Sequence, residues 1–86
     1  MKQFTYVIKD PLGIHARPAG MLAKEAKAFG DTVVTVSKGD KAAKASQLMK
    51  LMSLAIKSGD EVTVTAEGPA EAEAIAAMQK FFAENL

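Results

Sequence analysis

The stretch Asp10-Pro11-Leu12-Gly13-Ile14-His15-Ala16-Arg17-Pro18-Ala19 marks where the apolar period of the chain changes from two to about 3.6. Before it, Lys2 to Lys9 sets Phe4, Tyr6 and Ile8 against Gln3, Thr5 and Lys9, the alternation of a strand with one buried face, and only Val7 is out of phase. Asp10-Pro11-Leu12-Gly13 is turn chemistry and ends that strand. Proline lacks an N–H and is tolerated in the first turn of a helix, so Pro18 predicts a helix from about Ala16 to about Phe29. Ala16, Ala19, Leu22, Ala23, Ala26 and Phe29 fall on one face of it, and Arg17, Gly20, Met21, Lys24 and Lys27 occupy the others.

Downstream, Gly30-Asp31 closes the helix and Thr32 to Ser37 reads as a strand with Val34 and Val36 inward. Lys38-Gly39-Asp40-Lys41 is a tight turn into a short, lysine-rich strand over Ala42 to Lys44, suited to a sheet edge. Ser46 is placed to cap a helix from Gln47 to about Ile56 at most, with Leu48, Leu51, Met52 and Ala55 as its apolar stripe and Met49 off it. After Ser58-Gly59-Asp60, Glu61 to Ala66 alternates Val62, Val64 and Ala66 with two threonines, a third clear amphipathic strand. Gly68-Pro69 opens a last helix, with Pro69 at a first position, Glu71 and Glu73 near the positive end of the dipole, and Ala72, Ile75, Met78 and Phe82 buried. The order βαββαβα is an α+β pattern, one sheet covered by helices on one face. Periodicity gives the elements and not their pairing, so a ferredoxin-like arrangement competes.

A chain of 86 residues is read as a single domain over 1–86, large enough to bury only about 60–65% of its unfolded surface. Without cysteine it forms no disulfides, which suits a reducing compartment. No charged start with an apolar h-region occurs, nor an apolar run long enough to span a bilayer, so a soluble, cytoplasmic protein without membrane insertion is expected. The net charge of +1 does not indicate nucleic acid as a partner, yet the distribution is lopsided. From His15 through Lys57, eight basic residues (Arg17, Lys24, Lys27, Lys38, Lys41, Lys44, Lys50 and Lys57) face three acids. If gathered around His15 they would attract an acidic partner surface; scattered, they are solvated lysines.

His15 is the only histidine and Arg17 the only arginine. A residue just before a helix start lies beside backbone N–H groups that have no intrahelical partner and beside the positive end of the dipole, which together favour an anion. Neutral imidazole is a competent nucleophile. A phosphoryl group on it would place its oxygens where the amides of Ala16 and Arg17 and the Arg17 guanidinium can donate charge-assisted hydrogen bonds. A surface or capping histidine is the plain alternative, against which the Gly-apolar-His-small-Arg-Pro context weighs. One histidine and no cysteine give no metal-ligand set, and no cofactor is implied.

Gly13-Ile14-His15-Ala16-Arg17-Pro18-Ala19 resembles the active-site signature of the HPr family, the histidine-containing phosphocarriers of the bacterial phosphoenolpyruvate-dependent sugar phosphotransferase system. The resemblance runs nearly end to end, through Leu48-Met49-Lys50-Leu51-Met52-Ser53-Leu54 and the Gly-x-x-Val-x-Val pattern from Gly59. It implies an open-faced β-sandwich, a four-stranded antiparallel sheet with three helices on one face. It also implies a stoichiometric phosphoryl carrier and not a freestanding enzyme, phosphorylated by Enzyme I on Nδ1 of His15 and passing the group to IIA domains of sugar transporters. Arg17 carries over as the residue that stabilises phosphorylated and transition states. Partner docking on the first two helices falls on Gly20, Met21, Lys24, Lys27, Met49 and Met52, with the carrier working as a monomer.

Many relatives from low-GC Gram-positive bacteria carry a regulatory serine directly before the apolar-Met-x-apolar-Met run. Here Gln47 stands in that place and Ser46 one residue earlier. Counting from His15 matches Ser46, whereas anchoring on Leu48 to Leu54 matches Gln47. A serine kinase or phosphatase, with a transcriptional regulator, are partners only in the first register; otherwise Ser46 is an N-cap. A regulatory module using the same face without phosphate relay is the other function class the residues leave open.

Overall fold

Strand alternation builds a sheet with one apolar and one polar face. The computed structural model describes all residues 1–86 as β1 (Lys2–Val7), α1 (Ala16–Lys27), β2 (Val33–Lys38), β3 (Lys41–Lys44), α2 (Leu48–Ser53), β4 (Glu61–Glu67) and α3 (Glu71–Asn85). The strands lie in the order β1-β4-β2-β3 and every neighbouring pair is antiparallel. A ferredoxin-like sheet, built on split βαβ units, is also antiparallel but sets β1 and β3 side by side at its centre, whereas here they are the two edge strands. The expected open-faced arrangement is therefore the one formed, with lysine-rich β3 at an edge.

Register decides what each face presents. Phe4, Val64, Val36 and Ala43 form one inward row across all four strands, and Gln3, Thr65, Thr35 and Lys44 form the adjacent outward row. Against the inward face α3 lays Phe82, whose ring meets Phe4 and Tyr6 edge-on at centroid distances of 5.8 and 5.6 Å. Leu22, Leu51 and Met78, one from each helix, are fully enclosed with it. Thr32, expected as the first residue of β2, lies just outside it and is the one buried polar residue. Its Oγ1 accepts the Ala70 N–H at 2.8 Å and so ties the start of α3 to the sheet.

Several expected boundaries and faces differ, each for a local reason. Ala16 and Ala72 are exposed. Each lies six residues before a stripe centre, Leu22 or Met78, and six residues is about one and two-thirds helical turns, so steps of three carry them off the buried face. Ala74 and Phe81 join Met78 and Phe82 in the core instead, and Ile75 is partly buried. Helix α1 ends at Lys27, before Phe29, and α3 starts after Ala70, leaving Pro69 outside it. Helix α2 is one short segment because Ala55 adopts φ +53°, a left-handed conformation that turns the chain out of the helix. Leu54 and Ile56 are thereby buried, while Leu48, Met52 and Ala55 of the expected stripe are exposed. Gln47, not Ser46, is the N-cap of α2, and its side chain makes no capping bond.

Candidate functional site

The site is assembled by the loop between β1 and α1. After β1, Ile8 donates to Asp60 O at 2.9 Å, and the N–H groups of Lys9 and Asp10 converge on Leu86 O at 2.6 and 2.8 Å. Asp10 then folds the loop: its Oδ1 accepts the Leu12 N–H at 2.8 Å and its carbonyl accepts the Gly13 N–H at 2.9 Å. Gly13 has φ +67°, and a Cβ there would stand 2.3 Å from Ile56 O and 2.7 Å from Lys57 Cα. Only glycine lets the loop come that close. The next residue seals the contact, with Ile14 N–H donating to Ile56 O at 3.1 Å and its side chain buried.

His15 follows as the N-cap of α1, extended at φ −107° and ψ −177°. Its carbonyl accepts the first helical bond, from Ala19 N–H at 2.9 Å, and its ring makes no capping bond. With Ala19 satisfied and Pro18 lacking a donor, the unsatisfied amides of the first turn are those of Ala16 and Arg17. No acidic residue occupies that turn, so nothing in it offsets the positive end of the dipole. The half-buried imidazole and the exposed Arg17 line a shallow cleft of about 210 Å³ together with Asp10, Pro18, Met21 and Asn85. A nucleophile and a guanidinium at one small opening, with two unpaired amides directly after the nucleophile in the chain, are a donor set suited to an anion the size of a phosphoryl group.

The structure joins His15, Arg17 and Met21 at this cleft, leaves Ala16 between His15 and Arg17 in the chain but off the cleft lining, and spreads the other expected residues outward. Gly20 lies on α1 with open space where a Cβ would be. Lys24 and Lys27 stand in the last turn of α1, Lys24 on a larger groove between α1 and α3 whose walls hold no His, Ser, Thr or Cys. Met49 is 79% exposed and Met52 39%, both on α2, which packs against α1. Leu12 and Leu48, absent from the sequence-based set, are exposed large apolar side chains as well. Asp10 and Asn85 were also missed. Asp10 reads in sequence as an ordinary turn residue, and Asn85 arrives only because α3 ends beside the loop. Ser46 is half-buried and its hydroxyl makes no hydrogen bond. No group of His, Cys, Asp and Glu side chains could hold a metal ion, and no helix is long and apolar enough to cross a membrane.

Of the eight basic residues between His15 and Lys57, Lys38 is not free. Its Nζ lies 2.8 Å from Asp60 Oδ2 and donates to Ala55 O at 3.0 Å. Asp60 Oδ2 also accepts the Lys57 N–H at 2.8 Å. The Lys38 hydrogen bond, then that of Lys57, holds the Asp60 carboxyl below its ordinary pKa.

Comparison with known proteins places these features in a class. The sequence model of the family described as "PTS HPr component phosphorylation site" matches residues 2–84. The phosphocarrier protein HPr of Mycoplasma genitalium is 42% identical over 85 residues, covering 99% of this chain and 97% of that one. Among solved structures, the histidine-containing phosphocarrier protein of a mycoplasma superposes with a TM-score of 0.92 at 36% identity, covering 96% of this chain and 93% of that one. An HPr from Thermoanaerobacter tengcongensis gives 0.91 at 37% identity, covering 98% and 93%. These are small phosphotransferase-system phosphocarriers with an open, four-stranded antiparallel sheet. The chain belongs to the HPr family.

Two outcomes follow from the loop geometry. Gly13→Ala must either push Ile56 away or move its own backbone, and should lower unfolding stability by at least about 2 kcal/mol in urea titration. Asp60 has a depressed folded-state pKa, so its contribution is present above the unfolded value of about 3.9 and is lost as pH falls through the lower folded value. Asp60→Asn should be less stable than the parent at about pH 6, with the difference shrinking as pH falls below about 3.9 and disappearing only below the lower folded value.

Proposed function

We propose that the chain carries phosphoryl groups in the cytoplasmic sugar phosphotransferase system, taking them from phosphorylated Enzyme I on Nδ1 of His15 and passing them to IIA domains of sugar transporters. The observation that carries this reading is a helix start capped by an imidazole free of any capping bond, followed by two amides without acceptors and by Arg17. In the first transfer the Nδ1 lone pair attacks phosphorus in line. The bond between phosphorus and its donor atom on Enzyme I breaks as the P–N bond forms. In the second transfer a histidine of the IIA domain attacks, and Nδ1 departs with its electron pair.

Such transfers depend on positioning and on charge stabilisation more than on further acid or base groups. The amides of Ala16 and Arg17 and the Arg17 guanidinium supply donors to the equatorial oxygens. The protein is a carrier, phosphorylated and dephosphorylated once per cycle. Gly20, Met21, Met49 and Met52 on the first two helices supply an adaptable surface for partners, and Lys24 and Lys27 add positive charge to it.

Incubated with Enzyme I and phosphoenolpyruvate, the chain should gain one acid-labile phosphate located to the His15 peptide by mass spectrometry, and His15→Ala should gain none. Arg17→Ala should fold normally but slow the transfer by about tenfold to a hundredfold, the kinetic equivalent of lost charge-assisted hydrogen bonds. An unchanged rate would remove its assigned role. Gly20→Ala should stabilise the free chain by about 0.5–1 kcal/mol, because the added methyl group meets nothing within 4 Å and alanine is the better helix former. The same variant should raise the KM of Enzyme I for the chain if partners approach closely there; an unchanged KM would show that they do not.

A further inference from the structure

The loop from Leu54 to Asp60 touches the site on one side and a lysine on the other. On the site side, Ile56 O receives the Ile14 N–H at 3.1 Å and lies against Gly13. Gly59 N–H donates to Ile8 O at 2.8 Å, and Asp60 O receives the Ile8 N–H at 2.9 Å, so the loop grips both ends of the segment leading to His15. On the other side, Lys38 at the end of β2 bridges the two ends of the loop, donating to Ala55 O at 3.0 Å and pairing with Asp60 Oδ2 at 2.8 Å. Ala55, whose carbonyl it takes, is the only non-glycine residue with positive φ, at +53°. A residue other than glycine does not stay there unless its surroundings fix it.

We infer that Lys38 and Asp60 are positioning residues for His15: by clamping the Ala55–Asp60 loop they fix the Ile56 carbonyl, and through it the Ile14 amide and the start of α1. Their side chains are 33% and 31% exposed. An ion pair so open to water adds little to overall stability, so its use lies in geometry. The path is short and continuous. Lys38 holds Ala55 O, the next residue's carbonyl holds Ile14, and His15 is bonded directly to Ile14. Neither clamp residue lines the cleft, so neither touches the transferred group. Charge at the clamp is confined to Lys38, Asp60 and the nearby Lys57.

The inference rests on His15 being the phosphoryl acceptor only for its kinetic consequence, and two readouts keep the questions apart. The first needs no phosphate. In Lys38→Ala, hydrogen exchange of the Ile14 amide, followed by NMR in the full-length chain, should speed up about tenfold, while amides in the middle of β4 keep their protection. The second is transfer from phosphorylated Enzyme I, where Lys38→Ala should lower kcat about tenfold with KM unchanged, the signature of a misplaced nucleophile and an intact docking surface. Lys38→Arg, which can still reach both acceptors, should restore both readouts. Asp60→Asn keeps the side-chain shape and guards against a misfolded Lys38→Ala. It should show the same changes more weakly, and the double variant should fall no further than Lys38→Ala. If Ile14 exchange and kcat both stay at parent values in Lys38→Ala and Asp60→Asn, or if arginine fails as completely as alanine, the clamp assignment is wrong. If the parent chain takes no phosphate at all, the phosphocarrier reading fails, and the exchange experiment still decides the clamp.

Discussion

One backbone hydrogen bond joins the two halves of this molecule at the place that matters. The Ile14 N–H meets the carbonyl of Ile56 at 3.1 Å, and Gly13 lies so close to that carbonyl that no side chain fits between them. Residues 42 positions apart in the chain thereby fix where α1 begins. A helix start has a definite direction only if something outside the helix holds the residue before it. Here Ile14 is held by its amide and by burial of its side chain, so the extended His15 next to it has little freedom in where it presents its ring. The sheet serves the same end. Phe82 against Phe4 and Tyr6 seats α3, and the end of α3 receives the Lys9 and Asp10 amides on Leu86 O. The loop carrying His15 is thus bonded at its start, middle and end.

Much of this was legible in the sequence because period and turn chemistry are local. The alternation in 2–8 and 61–66, the proline in the first turn of α1, and the Lys38-Gly39-Asp40-Lys41 turn each specified an element from a few adjacent residues, and each formed. What was misread involved choices that local pattern leaves open. Three-residue steps put Ala16 and Ala72 on core faces that the 3.6-residue turn moves them off. The stop of α2 depends on Ala55 in a left-handed conformation, which nothing in its residue type announces. Likewise Lys38 reads as one more solvated lysine of a basic stretch. Its use becomes visible only when the sheet sets it beside the α2–β4 loop.

The helix starts show how the chain divides its polar groups between stability and chemistry. Helix α3 is provided for at its N-terminus: Glu71 and Glu73 sit in its first turn, Gly68 N–H donates to Glu71 Oε1 at 3.4 Å, and Thr32 Oγ1 takes the Ala70 amide. Helix α1 has none of this, although it is 12 residues long and starts at the surface. An aspartate or serine in place of His15 would stabilise it by about 1 kcal/mol through a bond to one of the free amides. That bond would place an oxygen of the protein where the proposed site places an oxygen of the phosphoryl group. A capped α1 would already hold its anion. Leaving Ala16 and Arg17 without acceptors, and keeping carboxylates out of the turn, sets stability aside to keep the position open. In a domain this small the loss has to be met elsewhere, and the fully enclosed Phe82, Leu22, Leu51 and Met78 meet it in the core. The amides stay available because the packing around Ile14 and Ile56 holds the helix start where a cap otherwise would.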